Sequence, residues 1–216
     1  MTKMEGRARA AVFTIGHSNH SLDSFLSVLK DYGITAVADV RSYPYSNTYP
    51  HFDREALASS LEERKIAYVF LGKELGARAT DQNCYVDGKV QYDRIANTKP
   101  FQEGLKRIQR GMAKFRIALM CAEGEPLDCH RAILVSRYLA EINISVRHIL
   151  RDGRLEDHDA AMERLLRTLK ISENLVLRSK LEVISEGYRV QGQRIAYELP
   201  KAEGRKHEVS SAAKGR

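Results

Sequence analysis

Three features of the 216-residue sequence predict an α/β fold on an open, mostly parallel sheet of about five strands, with flanking helices and a C-terminal helical extension. Short β-branched and aromatic runs alternate with segments of helical apolar spacing between Ala11 and Leu150. Strands separated by helices form right-handed βαβ units. About five strand-like runs are too few to close an eight-stranded barrel.

The elements follow in order. Ala11–Ile15 is a strand ending at Gly16. Ser21 can cap a helix whose Leu22, Phe25, Leu26 and Leu29 share one face, with Gly33 as its stop. Ile34–Val40 is a buried strand, and Arg41–Pro50, with Pro44, Asn47 and Pro50, is a loop. Asp53 opens a helix to about Arg64, and Ile66–Leu71 is a third strand. Gly72–Pro100 is polar and poorly periodic, the pattern of a functional loop. A helix opens at Pro100 with Phe101, Leu105 and Ile108 on one face, followed by a strand at Arg116–Met120. Asp128 is placed to cap a helix to about Glu141, before a fifth strand at Ile144–Leu150. Residues 155–198 form the helical extension, with Met162, Leu165, Leu166 and Leu169 on one helix and Leu181, Ile184, Tyr188 and Ile195 on the next. Residues 12–198 are read as one domain, 1–11 as a flexible segment and 199–216 as a basic, disordered tail.

Composition narrows the class. Apolar residues make up 43% and charged residues 29%, enough apolar surface for a sizeable core. No apolar run is long enough to span a membrane, so no membrane partner is expected. No apolar segment follows the basic start, so a secretory signal is not expected. Three unevenly spaced cysteines are no disulfide framework, and the reading is a reduced, cytoplasmic protein. Of the net charge of +7, residues 1–11 carry +2 and residues 201–216 carry +3. Basic tails can hold nucleic acid through phosphate contacts, although a solvated end is the plainer reading.

Ligands in open α/β sheets bind beyond the carboxyl ends of the strands. Those positions here carry Gly16-His17-Ser18-Asn19-His20, Asp39-Val40-Arg41-Ser42, Leu71-Gly72 through Arg78, and Cys121-Ala122-Glu123 through Cys129-His130-Arg131. Strand five ends at His148, with Arg151 in the next loop. The segment after strand four is the sharpest. A cap at Asp128 puts Cys129, His130 and Arg131 in a first helical turn, where unpaired N–H groups and the helix dipole favour negative charge. A thiolate at Cys129 is stabilised by that field and by Arg131. Arg131 and Arg41 are candidate clamps for a phosphate or carboxylate, with Ser18, Glu123 and Arg78 as further ligand contacts. Cys129 or Cys121 is the candidate nucleophile, His17 or His130 the proton carrier and Asp39 an orienting group. The plainer readings are a buried hydrophobe for each cysteine and a carboxylate partner, Asp39 or Glu123, for Arg131.

Cys121, Cys129, His130, His17 and His20 also offer donors for Zn²⁺ or Fe²⁺, although their spacing is not that of a zinc finger. There is no phosphate-binding Gly-x-x-x-x-Gly-Lys loop, no Gly-x-Gly-x-x-Gly after strand one and no Gly-x-Ser-x-Gly elbow. The interval from Cys121 to Arg131 is wider than the Cys-to-Arg loop of cysteine phosphatases.

Thr14-Ile15-Gly16-His17-Ser18, Asp39-Val40-Arg41 with Ser42 and Pro44, Leu71-Gly72 through Leu75-Gly76-Ala77-Arg78, and Cys121-Ala122-Glu123 through Cys129-His130-Arg131 together resemble the domain of unknown function 488 family. Tyr188-Arg189 through Tyr197 resembles its longer members, so the resemblance covers about residues 12–198. It implies relatedness without a reaction. The sequence departs from the pattern at Lys73, where a second glycine is expected.

Three functions stay open. The first is an enzyme or binding protein for a phosphate-bearing or other anionic small molecule or nucleotide. The second is a nucleic-acid-binding module that uses the basic tails and Tyr43, Tyr45 and Tyr49 beside Arg41, although such tyrosines ordinarily pack on their own domain. The third is a metal-dependent enzyme using Cys129, His130 and His17.

Overall fold

The computed structural model describes residues 11–171 and 178–200. The expected flexible segment at residues 1–10 and the basic tail at 201–216 lie outside the described residues. The strands are β1 (Ala11–Gly16), β2 (Ala36–Asp39), β3 (Ala67–Phe70), β4 (Tyr85–Val86), β5 (Lys89–Val90), β6 (Ile117–Cys121), β7 (Ser145–Ile149) and β8 (Leu155–Asp157). Six form one sheet in the order β3-β2-β6-β1-β7-β8. The five expected strands are its parallel part, and β8 adds an antiparallel edge beside β7.

Each strand alternates its side chains between two apolar layers. Phe13, Ile15, Val37, Ala118 and Met120 pack with Phe25 and Leu29 of α1 (Leu22–Asp31) and Leu57 and Leu61 of α2 (Arg54–Glu63). Val12, Ala38, Leu119 and Cys121 face the other layer. That layer holds Phe101 and Ile108 of the long helix Lys99–Gly111, Ile133 and Leu139 from the segment after β6, and Met162 and Leu165 of the helix His158–Leu169.

The interval Gly72–Pro100 is not an unstructured loop. It contains α3 (Gly72–Leu75), a 3-10 turn at Gln82–Cys84, the β4–β5 hairpin and α4 (Tyr92–Ala96). These elements are too short to carry a readable period. The long helix that follows, α5 (Lys99–Gly111), is capped by the Thr98 hydroxyl, which accepts from Phe101 N–H, so it starts before Pro100. Gly72 is required there, because a Cβ would lie 1.9 Å from the Arg41 carbonyl oxygen. Lys73 is exposed, so no glycine is needed at that position.

The segment after β6 also differs from expectation. Pro126–Asp128 is a 3-10 turn, and Cys129, with extended backbone, is the residue before the helix. The chain is helical from His130, π-wound over Arg131–Ser136 and α-helical in α6 (Arg137–Glu141). Cys129, not Asp128, receives the first helical hydrogen bonds: its carbonyl accepts from the N–H groups of Ala132 and Ile133, and its Sγ accepts from Arg131 N–H at 3.4 Å. The π winding brings Ser136 Oγ to the Arg131 carbonyl at 2.7 Å, where it donates.

Helices α7 (His158–Leu169) and α8 (Lys180–Ile195) close the second layer. A polar thread runs through it. Hydrogen bonds link Thr14 Oγ1 to His148 Nδ1 (2.8 Å), His148 Nε2 to His158 Nδ1 (2.9 Å) and His158 Nε2 to Tyr188 Oη (2.8 Å). Beyond α8, the chain reaches the hairpin: Val90 N–H donates to Tyr197 O and Leu199 N–H to Gly88 O.

Topology places the functional rim. From β1 the chain passes over β6 to reach β2, and from β6 it passes over β1 in the opposite direction to reach β7. The carboxyl ends of these central neighbours therefore diverge, which opens a crevice.

Candidate functional site at the carboxyl rim

The rim holds two clusters, separated by strand alternation. Cys121 points to the layer that contains the π-helical segment, so it meets Cys129 and His130. Both sulfurs hydrogen-bond Glu123 Oε2, Cys121 at 3.0 Å and Cys129 at 2.9 Å. His130 Nδ1 lies 3.7 Å from Cys121 Sγ and 3.9 Å from Cys129 Sγ, while its Nε2–H donates to the Val40 carbonyl at 3.0 Å. All three side chains are buried.

This environment moves protons. The Cys129 sulfur beside Cys121, together with burial, pushes the Cys121 thiol well above its ordinary range. Burial opposes charge on Cys129, but hydrogen bonding from Cys121 and the nearby Arg131 and His130 hold its thiol well below that range. Burial and Cys129 raise the Glu123 carboxyl, so the 2.9 Å contact shares one proton between oxygen and sulfur. Burial works against charge on His130, yet Cys129 and Glu123 outweigh it and raise the imidazole.

His17 and Asp39 point to the opposite layer, with Arg41 between the clusters. Asp39 accepts from Arg41 Nε (2.9 Å) and Arg41 Nη2 (2.7 Å), and from Tyr68 Oη (2.8 Å). Arg41 Nη2 also donates to the Phe52 carbonyl, and Nη1 donates to His17 Nε2 at 3.3 Å. His17 stacks on Phe52. Burial, then the Arg41 charge, lowers its pKa to about 4, so it stays neutral. His17 therefore does not serve the thiols as a proton carrier, and Asp39 orients Arg41 rather than an imidazole.

Arg131 does not face a ligand. It is fully buried, with Nη1 donating to Glu123 O at 2.6 Å and Nη2 to Gly124 O at 3.0 Å. It pins the loop after β6 and makes no carboxylate pair. Gly16 lies under the same loop, where a Cβ would sit 1.8 Å from the Glu123 carbonyl oxygen. Ser18 lines a separate depression with Arg151 and Arg164. His20 hydrogen-bonds Ser24 Oγ and does not join the cysteines.

A cleft of about 240 Å³ opens over the sulfur cluster. Cys121, Cys129, His130 and Glu123 form its floor, with Arg41, Arg78, Tyr43 and Asp128 around them. The Arg78 guanidinium lies over the Tyr197 ring at 4.6 Å and has no carboxylate partner among the described residues. Tyr92, Ile195 and Tyr197 complete the wall. Sequence reading missed Tyr92, and the Tyr188–Tyr197 motif was the one signal for Tyr197. Tyr43 and Tyr45 are 64% and 41% exposed, so they do not pack on their own domain as the plainer reading held.

No helix among the described residues is long and apolar enough to cross a membrane. No curated protein matches the chain. A family model described as "Domain of unknown function DUF488" matches residues 21–138, more than half of the chain and including most of the cleft floor. The chain is a member of the DUF488 family.

Proposed function

We propose that this chain binds a small phosphate- or carboxylate-bearing molecule in the rim cleft and presents it to the Cys121–Cys129–His130 cluster. The observation that carries this reading is Arg78, a half-open cation without a carboxylate partner, at the lip of a cleft floored by two cysteines and a histidine. The cleft, at about 240 Å³, is smaller than the usual drug-sized pocket, which favours a ligand of few heavy atoms. Arg41 is neutralised by Asp39, so its role is to hold the wall. Calorimetry with inorganic phosphate and with glycerol phosphate tests the reading. Arg78→Ala weakens binding at least about tenfold, the loss of one charge-assisted hydrogen bond. No heat at millimolar ligand, or equal affinity in Arg78→Ala, rejects it.

A second reading is favoured by the exposed Tyr43–Tyr45 pair, whose ring centroids are 5.1 Å apart beside the cleft. Such a pair is a stacking platform for a base, with the phosphate directed to Arg78. Single-stranded oligonucleotide binding that weakens steeply with salt and is lost in Tyr43→Ala supports it. Salt-independent or absent binding rejects it.

A further inference from the structure

We propose that Cys121, Cys129 and His130 hold a divalent transition metal of the zinc class, with the fourth coordination position facing the cleft. The assignment goes beyond the anion reading, because it stands on the donor atoms and not on the cleft walls. Only the role of the fourth position, as the place where the anion meets the metal, rests on that reading.

The donor set is the first argument. Two thiolates and an imidazole suit zinc and its neighbours and do not suit magnesium or calcium. Distance is the second. Zinc–sulfur and zinc–nitrogen bonds of about 2.3 and 2.0–2.1 Å give a tetrahedral sulfur-to-nitrogen edge of about 3.6 Å. His130 Nδ1 stands 3.7 and 3.9 Å from the two sulfurs, and the three donor atoms all lie within 4.8 Å of one another. The third argument is orientation. A metal-bound histidine ordinarily gives its other N–H to a carbonyl or carboxylate. His130 does so through Nε2 to Val40 O, which leaves the Nδ1 lone pair directed at the sulfurs.

The donors are also held in place. Cys121 ends a central strand, Cys129 and His130 open a helix, and Arg131 N–H donates to Cys129 Sγ. Three protein donors with one open side match catalytic zinc sites rather than closed structural ones. Glu123 Oε2, in contact with both sulfurs, borders that open side. On metal entry each thiol exchanges its S–H bond for a metal–sulfur bond. M²⁺ and two R–SH give M(SR)₂ and two H⁺, the protons passing to Glu123 and solvent.

The test uses the full chain, purified without chelator. Elemental analysis is expected to find about one equivalent of a transition metal per chain. Exchange with Co²⁺ is expected to produce the near-ultraviolet thiolate charge-transfer band and the visible bands of a tetrahedral site. Cys121→Ser and Cys129→Ser each lower occupancy at least about tenfold, with the fold checked by circular dichroism. Cys84→Ser leaves occupancy unchanged, since Cys84 lies outside the cluster. A folded wild-type protein that takes up neither native metal nor cobalt overturns the proposal, as does full occupancy in both serine variants. Adding inorganic phosphate to the cobalt protein separates the two readings. Cobalt bands that phosphate leaves unchanged, with no calorimetric binding, reject the anion reading and leave the metal site standing.

Discussion

His130 donates to the carbonyl of Val40 across 3.0 Å and so ties the end of β2 to the start of the helix after β6. Because the carbonyl is buried with its partner, His130→Ala is expected to destabilise the fold by about 2 kcal/mol, the cost of an orphaned buried acceptor. Urea denaturation measures this. An unchanged midpoint would show that Val40 finds another donor.

Arg41 and Asp39 form a buried pair that also satisfies Tyr68, Phe52 O and His17. Arg41→Ala strands the Asp39 charge and is expected to cost about 3–5 kcal/mol. Replacing both residues by apolar ones is expected to recover part of that loss. Denaturation of the single and double variants forms the cycle, and additive losses would contradict the coupling.

Stability is expected to fall as pH drops from 6.5 towards 4. Burial lowers His17 and His158 to about 4 in the folded chain, against an ordinary value of 6.5. Between those values the unfolded chain binds protons that the folded chain refuses. Each histidine therefore removes about 1.4 kcal/mol per pH unit over that window, and the effect is absent above it. Burial and the neighbouring His158 keep His148 neutral in the same direction. Urea midpoints at pH 7 and pH 5 check the slope, which flattens in a His17→Gln, His158→Gln double variant.

Gly16→Ala forces a methyl group onto the Glu123 carbonyl, which Arg131 prevents from yielding. A loss of about 3 kcal/mol is expected, the upper part of the usual overpacking range. Thermal unfolding reads it, and an unshifted transition would mean that the loop moves freely.

The sequence made the parallel strands legible because β-branched runs such as Ile34–Val40 stand out between helical periods. It left the interval Gly72–Pro100 opaque, since α3, α4 and the hairpin are each shorter than the period that would reveal them. Candidate residues came from strand ends, and the rule was sound for Cys121, Glu123, Cys129, His130, Arg41 and Arg78, which share the cleft. It failed to separate the two sides. Phe13, Ile15 and His17 alternate towards α1 and α2, whereas Leu119 and Cys121 alternate away from them. That division depends on strand order, which no local pattern encodes. Arg131 was misassigned for a related reason: a guanidinium bonds backbone carbonyls as readily as ligands, and only the path of the loop decides between them.

The π-wound stretch Arg131–Ser136 accommodates one residue more than ordinary winding would, at the threshold of the sulfur cluster. Deleting a single position there would restore a regular screw and rotate everything upstream by about 100° around its axis. Leu139 would keep its berth, but Cys129 and His130 would sweep away from Cys121. The meeting of these groups thus hangs on a miscounted thread, and shortening the helix by one step would dismantle the cluster without touching any of its members.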